Sequence, residues 1–266
     1  MNENAHLEPV LAQRLRSLTP ARVGLARTGV SLETRDLLDF QRAHAQARDA
    51  VHSHLEAASI AASLTQISSR QVLRMHSACA DRATYLQRPD LGRTLDEPSR
   101  NQLLRHTPPA NSPSNKLALI VADGLSALAA ERHAAPLLSE LLPHLDGWQL
   151  TPICVVEQAR VAIGDEIGLA LGAEISVVLI GERPGLSSPD SLGAYITFDP
   201  RPGRTDAERN CISNIRAEGL SYAQATTQLV YYLTEARRRQ LTGVALKEES
   251  GTEELSREQL KKLKEG

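Results

Sequence analysis

"KLALIVADGLS", residues 116–126, reads as a continuous apolar strand that stops at Asp123-Gly124. "ALAAERHAAPLLSELLPHL", residues 127–145, follows it as an amphipathic helix in which Pro136 marks a kink or break. The alternation continues downstream. "WQLTPICVVEQ" (148–158) is a second strand, "VAIGDEIGLALG" (161–172) a short helix closing on Gly172, and "AEISVVLIGERPG" (173–185) a third strand. Val, Ile and Leu runs that are nearly continuous, separated by helices, mark strands buried on both faces of a parallel sheet. The fold class is therefore α/β, a Rossmann-like parallel sheet. Ligands of such sheets sit beyond the carboxyl ends of the strands, which places the candidate site at 123–126, 157–161 and 181–185.

Ahead of this sheet the chain reads as helical. In "SLETRDLLDFQRAHAQARDAVHSHL" an imperfect capping box from Ser31 to Thr34 precedes apolar residues at Leu37, Leu38, Phe40, Ala43, Ala47 and Val51. His52 and His54, two apart on a helix, point to different faces and do not make a metal pair. "RHTPPANSPSN" (105–115) is a linker by its Pro, Ser and Asn content. Three parts are expected: a mainly helical N-terminal region at 1–110 that makes subunit contacts, a Rossmann-like domain at 111–247, and a charged tail at 248–266. The tail has only a thin stripe of Leu255, Leu260 and Leu263 and is expected to be a mobile appendage.

With 266 residues and 41% hydrophobic content the chain can bury a real core. Its longest apolar runs, Leu117 to Ala122 and Ile175 to Ile180, are too short to span a bilayer. "MNENAHLEPV" lacks the basic-then-apolar order of a signal peptide, so a cytoplasmic protein is expected. Cys79, Cys154 and Cys211 are widely spaced and read as free thiols. A formal net charge of -2 gives no reason to invoke nucleic acid or an anionic membrane. One Trp, five Tyr and two Phe supply few platforms for stacking bases. Residues 1–110 nevertheless hold fourteen Arg, no Lys and eleven acids, a composition suited to planar bidentate contacts with a protein or phosphate.

A dinucleotide is the first ligand to test on this architecture. The first turn reads A-D-G-L-S where the fingerprint requires G-x-G-x-x-G, no Walker sequence is present, and "GDEIG" (164–168) sets two acids between its glycines. Nucleotide binding is disfavoured. No His follows His144, which removes the usual general base and metal ligand from this half, so no catalytic residue and no metal site are expected there. The remaining chemistry is Glu182, Arg183 and Cys211, with Asp165 and Glu166 as helpers. On a plain structural reading Glu182 and Arg183 are exposed turn residues and Cys211 a small, half-buried apolar one.

"VADGLS", "RVAIGDEIG", "VVLIGERPGLSSPDSLGAYITFDPRPG" and "ERNCISNIRAEGLSYAQAT" together resemble, in order and spacing, the light chain of ethanolamine ammonia-lyase. The resemblance extends upstream through "ARVGLARTGVSLETRDLLDFQRAHAQARDAV" and "YLQRPDLGRTL", covering about Thr19 to Lys247. It implies the small subunit of an adenosylcobalamin-dependent hetero-oligomer that converts ethanolamine to acetaldehyde and ammonia by radical chemistry. In that family the large subunit is a TIM barrel that holds the substrate, and cobalamin lies between the barrel mouth and the small subunit. By the family pattern the cobalamin contacts fall on Val161, Glu182 and Cys211. Val161 follows the second strand, Glu182 ends the third, and Cys211 is expected in a later loop. The resemblance also implies a cofactor that keeps its own dimethylbenzimidazole on cobalt; such a cofactor needs no protein His, and the D-x-H-x-x-G motif by which some proteins supply one is absent.

Some relatives carry a long N-terminal extension resembling an address for a protein-shelled bacterial microcompartment. Here the similarity begins after about twenty residues, which favours free cytoplasm and leaves encapsulation open as an alternative. Two rival readings stand beside the lyase subunit. A stand-alone Rossmann-like binding module explains the sheet but not the missing glycine fingerprint, and a purely structural subunit gives no reason for polar strand ends to converge.

Overall fold

The computed structural model describes residues 7–19, 21–25, 27–109 and 115–246, so the tail at 248–266 lies outside the described residues. In chain order the first part comprises α1 (Leu7–Leu18), a hairpin of β1 (Arg27–Thr28) and β2 (Ser31–Leu32), α2 (Thr34–His52), α3 (Ala57–Ser68), β3 (Val72–His76), α4 (Arg82–Gln87) and α5 (Glu97–Leu104). The second comprises β4 (Lys116–Ala122), α6 (Ala127–Leu141), β5 (Gln149–Leu150), β6 (Ile153–Glu157), α7 (Ile163–Ala170), β7 (Ile175–Gly181), β8 (Leu192–Phe198), β9 (Asn210–Ile215) and α8 (Tyr222–Arg239). This is a mixed α/β fold around a mostly parallel sheet. The strand order is β3-β6-β4-β7-β8-β9, with β5 paired to the start of β4.

The strands β3, β6, β4 and β7 run parallel, and Ile120 of β4 lies opposite both Cys154 of β6 and Val178 of β7. The sheet is not parallel throughout. β8 pairs antiparallel with β7, and β9 antiparallel with β8. Only residues 182–191 separate β7 from β8, too short a stretch for a crossover helix, so the chain can only turn back beside the strand it has left. Cys211 accordingly lies within strand β9, and not in a loop as expected. The sheet also reaches across the linker, because Val72–His76 pairs along Ile153–Glu157.

Alternation along β4 divides the core into two layers. Leu117, Leu119 and Val121 pack with Ala134, Leu137, Leu138 and Leu141 of α6, Ile60 and Leu64 of α3, and Leu229 and Leu233 of α8. Ala118, Ile120 and Ala122 pack on the opposite face with Ile163 and Ile167 of α7 and Leu103 of α5.

Pro136 neither breaks nor ends its helix, since α6 continues to Leu141. Its ring is exposed while Ala134 before it and Leu137 and Leu138 after it are buried, and that burial on both sides outweighs a lost hydrogen bond. The capping box at Ser31 does not form. Ser31 is held in the hairpin opposite Thr28, so Glu33 becomes the N-cap of α2, with no side-chain bond. His52 is the last residue of that helix and His54 lies beyond it. A complete box does occur at α8, where Ser221 accepts from the Gln224 amide and the Gln224 side chain returns to the Ser221 amide. Ser221→Ala is expected to cost about 1 kcal/mol of stability, read as a lower urea midpoint with unchanged slope. Among the described residues no helix is long and apolar enough to cross a membrane.

Candidate functional site

The chain leaves β4 into α6 on one face of the sheet and leaves β6 into α7 on the other. Adjacent strands whose connections diverge in this way open a crevice at their carboxyl ends. Asp123 sits in it, fully buried. Its carboxylate accepts from the Gln158 and Ala159 amides, both at 3.0 Å, which ties the end of β4 to the end of β6. Arg82 of α4 reaches the same carboxylate at 3.2 Å and also donates to the carbonyls of Val51 (2.7 Å) and Gly124 (2.9 Å). Burial raises the Asp123 carboxyl above its ordinary value, against the lowering influence of Arg82 and the neighbouring amides.

Gly124 and Gly181 let the β4 turn press on the end of β7. Gly124 has φ +56°, and a Cβ there would lie 2.2 Å from the Gly181 carbonyl oxygen. Leu125 donates its amide to that same oxygen at 2.9 Å. Side-chain-free backbone at both positions makes the contact sterically feasible.

Beside this contact is a cavity of about 490 Å³. Gly124 and Leu125 line it from the β4 turn, Arg160 and Val161 from the segment after β6, and residues 180–183 from the end of β7; Tyr195 of β8 and Tyr85 of α4 complete it. Val161 and Glu182, two of the three residues singled out from the sequence, therefore share one cavity. Glu182 is anchored at its base by the hydrogen bond that its backbone N–H donates to the Ser191 carbonyl (2.9 Å). Its Oε2 accepts from the Ser191 hydroxyl and from the Asn214 amide, the latter at 3.1 Å, while Oε1 makes no hydrogen bond to the described residues. Gly193 leaves the carboxylate room, since a Cβ there would stand 3.2 Å from Oε1.

Cys211 does not line the cavity itself. It is exposed, faces Ser213 Oγ at 3.3 Å, and is the cross-strand partner of Tyr195, which does line it. Partners in an antiparallel ladder share a face, so the thiol continues the same surface outward. Burial first, and then the hydrogen bond with Cys211, pushes the Tyr195 hydroxyl above its ordinary value, so it remains a neutral phenol near pH 7. Cys79 and Cys154 are free and buried, as Cys211 is free and exposed.

The other sequence candidates are distributed differently. Asp165 forms a buried two-bonded ion pair with Arg209, each contact 2.7 Å, and Glu166 accepts from the Leu95 amide at 2.9 Å and pairs with Arg100. Both acids hold α7 to its neighbours and are spent on structure. Arg183 is exposed on the cavity with no ion-pair partner among the described residues. Three contributors escape a sequence reading: Tyr85, whose hydroxyl bonds the Ala159 carbonyl at 3.2 Å, Tyr195, and Arg82. Arg160 had one usable signal, its place beside Val161 at a strand end. Tyr85 and Arg82 had none, since each meets the site across more than forty residues of chain.

A family model described as "Ethanolamine ammonia-lyase light chain (EutC)" matches residues 10–247. The chain belongs to this family. It is 58% identical over 243 residues to the ethanolamine ammonia-lyase small subunit of Pseudomonas paraeruginosa (strain DSM 24068 / PA7), covering 91% of this chain and 88% of that one. It is 57% identical over 238 residues to the small subunit of Pseudomonas syringae pv. tomato (strain ATCC BAA-871 / DC3000), covering 89% and 82%. The small subunit of Pseudomonas fluorescens (strain SBW25) is similar at 56% identity over 243 residues, covering 91% and 87%. The match spans the strand-end segments that form the cavity as well as the helices ahead of the sheet.

Proposed function

We propose that this chain is the small subunit of an adenosylcobalamin-dependent ethanolamine ammonia-lyase, a cytoplasmic hetero-oligomer, and that its Rossmann-like rim clamps cobalamin against a TIM-barrel large subunit. The observation that carries the reading is Glu182: one carboxylate oxygen is tied down by Ser191 and Asn214, and the other is free on a cavity whose walls include Val161, Leu125 and Ile180.

The residues fit the group. A corrin is a broad, mainly apolar disc edged with amides, and a fixed carboxylate oxygen accepts an amide N-H while Val161, Leu125 and Ile180 offer apolar contact. A cavity of about 490 Å³ suits an edge or tail of so large a molecule and leaves the remainder to a second surface. When bound, the cofactor would supply the radical that starts conversion of ethanolamine to acetaldehyde and ammonia. Val161, Glu182 and Cys211 position it. The anchored strand ends keep water from its edge, and no residue of this chain moves a proton or hydrogen atom of the substrate.

Glu182→Gln tests this without emptying the site. The amide oxygen still accepts from Ser191 and Asn214, but the cavity then meets an NH2 donor in place of an acceptor. Cobalamin affinity of the complex is expected to fall about ten- to hundredfold, the worth of a charged hydrogen bond, with assembly intact by gel filtration. Loss of assembly with unchanged affinity in the surviving complex would show a purely structural role.

A further inference from the structure

We infer that Arg160, with Arg183 on the same cavity, forms an anion site for the phosphodiester of the corrinoid's nucleotide arm; the inference rests on the cobalamin reading above. Two guanidiniums and one carboxylate line the cavity, and Ser191 and Asn214, which hold one oxygen of that carboxylate, are neutral donors that leave its charge in place. Neither Arg160 nor Arg183 has an ion-pair partner among the described residues. The cavity therefore carries one positive charge in excess of its carboxylate.

Arg160 is also held in place to an extent that a solvated arginine is not. Its guanidinium stacks over the Tyr85 ring at 4.2 Å, its Nη2 donates to the Tyr85 carbonyl at 3.1 Å, and its amide donates to the Gly92 carbonyl at 2.8 Å. Tyr85 is itself 1% exposed and fastened through its hydroxyl to Ala159. Gly92 makes the fit feasible, since a Cβ there would come within 2.9 Å of Arg160 Cγ and 3.3 Å of the Tyr85 ring. The Nε is buried without a partner, and Nη1 makes no hydrogen bond to the described residues. Arg82 provides the contrast. It lies over the same ring at 4.6 Å, but Asp123 neutralises it and its bonds go to the protein.

A rigid planar fork with no anion of its own selects a phosphate or carboxylate, and a neutral amide would not repay its desolvation. The side chains of a cobalamin are neutral amides apart from a single phosphodiester in the nucleotide arm. That group is the ligand assigned to Arg160, with Arg183 adding charge from the exposed side.

The test titrates the complex of this chain and its large subunit with cobalamin, cobinamide phosphate and cobinamide, following the corrinoid's visible spectrum. Arg160→Ala is expected to weaken the two phosphate-bearing ligands about ten- to hundredfold and to change cobinamide less than twofold. Arg160→Lys, which keeps the charge without the fork, should fall between. Cobalamin affinity should also drop with added salt in the unmodified complex and do so less steeply in Arg160→Ala, a readout that needs no cobinamide. Equal losses for all three ligands with an unaltered salt response would reduce Arg160 to a wall of the cavity, and no loss would remove it from the site. A complex that binds none of the three, even before substitution, overturns the cobalamin reading and this inference with it, whereas selective failure of the phosphate effect overturns the inference alone.

Discussion

Gly181→Ala should destabilise the chain by about 3 kcal/mol or more, a melting temperature lower by roughly 10 °C. The added Cβ would stand 2.0 Å from the Ser126 carbonyl oxygen and 2.5 Å from that of Asp123. Both are backbone atoms with no rotamer to yield, so either the β4 turn or the end of β7 must move. Movement of the turn stretches the Leu125-to-Gly181 hydrogen bond and pulls Asp123 from the Gln158 and Ala159 amides. Gly203→Ala is the comparison, because no atom lies within 4 Å of its Cβ and only the strain of φ +97° remains, about 1–2 kcal/mol. Thermal unfolding of the two variants checks the claim. A melting temperature for Gly181→Ala no lower than that of Gly203→Ala would show that the turn yields without cost.

Arg82→Met should remove about 3–5 kcal/mol at neutral pH, because it leaves Asp123 charged, fully buried and without its cation. The loss has a definite pH dependence. Burial already holds the Asp123 carboxyl above 3.8, so the folded state binds its proton more readily than the unfolded state does. The contribution of such a group falls as pH rises from about 3.8 through the folded value. Without Arg82, the strongest opposing influence, the folded value climbs further, and the deficit against the unmodified chain widens from about pH 4 towards pH 7. Urea unfolding of both proteins at pH 4.5 and 7.5 measures it. A deficit that is the same at the two values would place the loss in packing against Tyr85 and the bond to Val51, and not in the charge of Asp123.

Strands β4, β6 and β7 and helices α6 and α7 were legible because burial on both faces of a parallel strand writes itself as an unbroken Val, Ile and Leu run, and the intervening helices keep a 3.6-residue period. The carboxyl-end rule then located the cavity's Gly124, Val161 and Glu182 from strand ends alone. β8 and β9 were less legible. "LGAYITF" and "NCISNI" are glycine- and asparagine-bearing stretches on the side of the sheet away from β3; β8 pairs with β7 and β9 with β8, and the return onto β7 is decided by the length of the 182–191 connection. β3 lay hidden for another reason: "VLRMH" alternates buried and exposed residues around a charged Arg74, as a strand at the end of a sheet does.

The sequence by itself determined the class of fold, the strand ends that line the cavity, and the resemblance that names the family, since each is carried by residues close together in the chain. Only the tertiary structure decided that Tyr85 and Arg82 from α4 would close that rim, that Asp123 would bind two strand ends together, and that Arg160 would lie stacked without an anion. Those contacts join segments up to 75 residues apart, and their energies come from desolvation and mutual orientation, which no local pattern of residue types records.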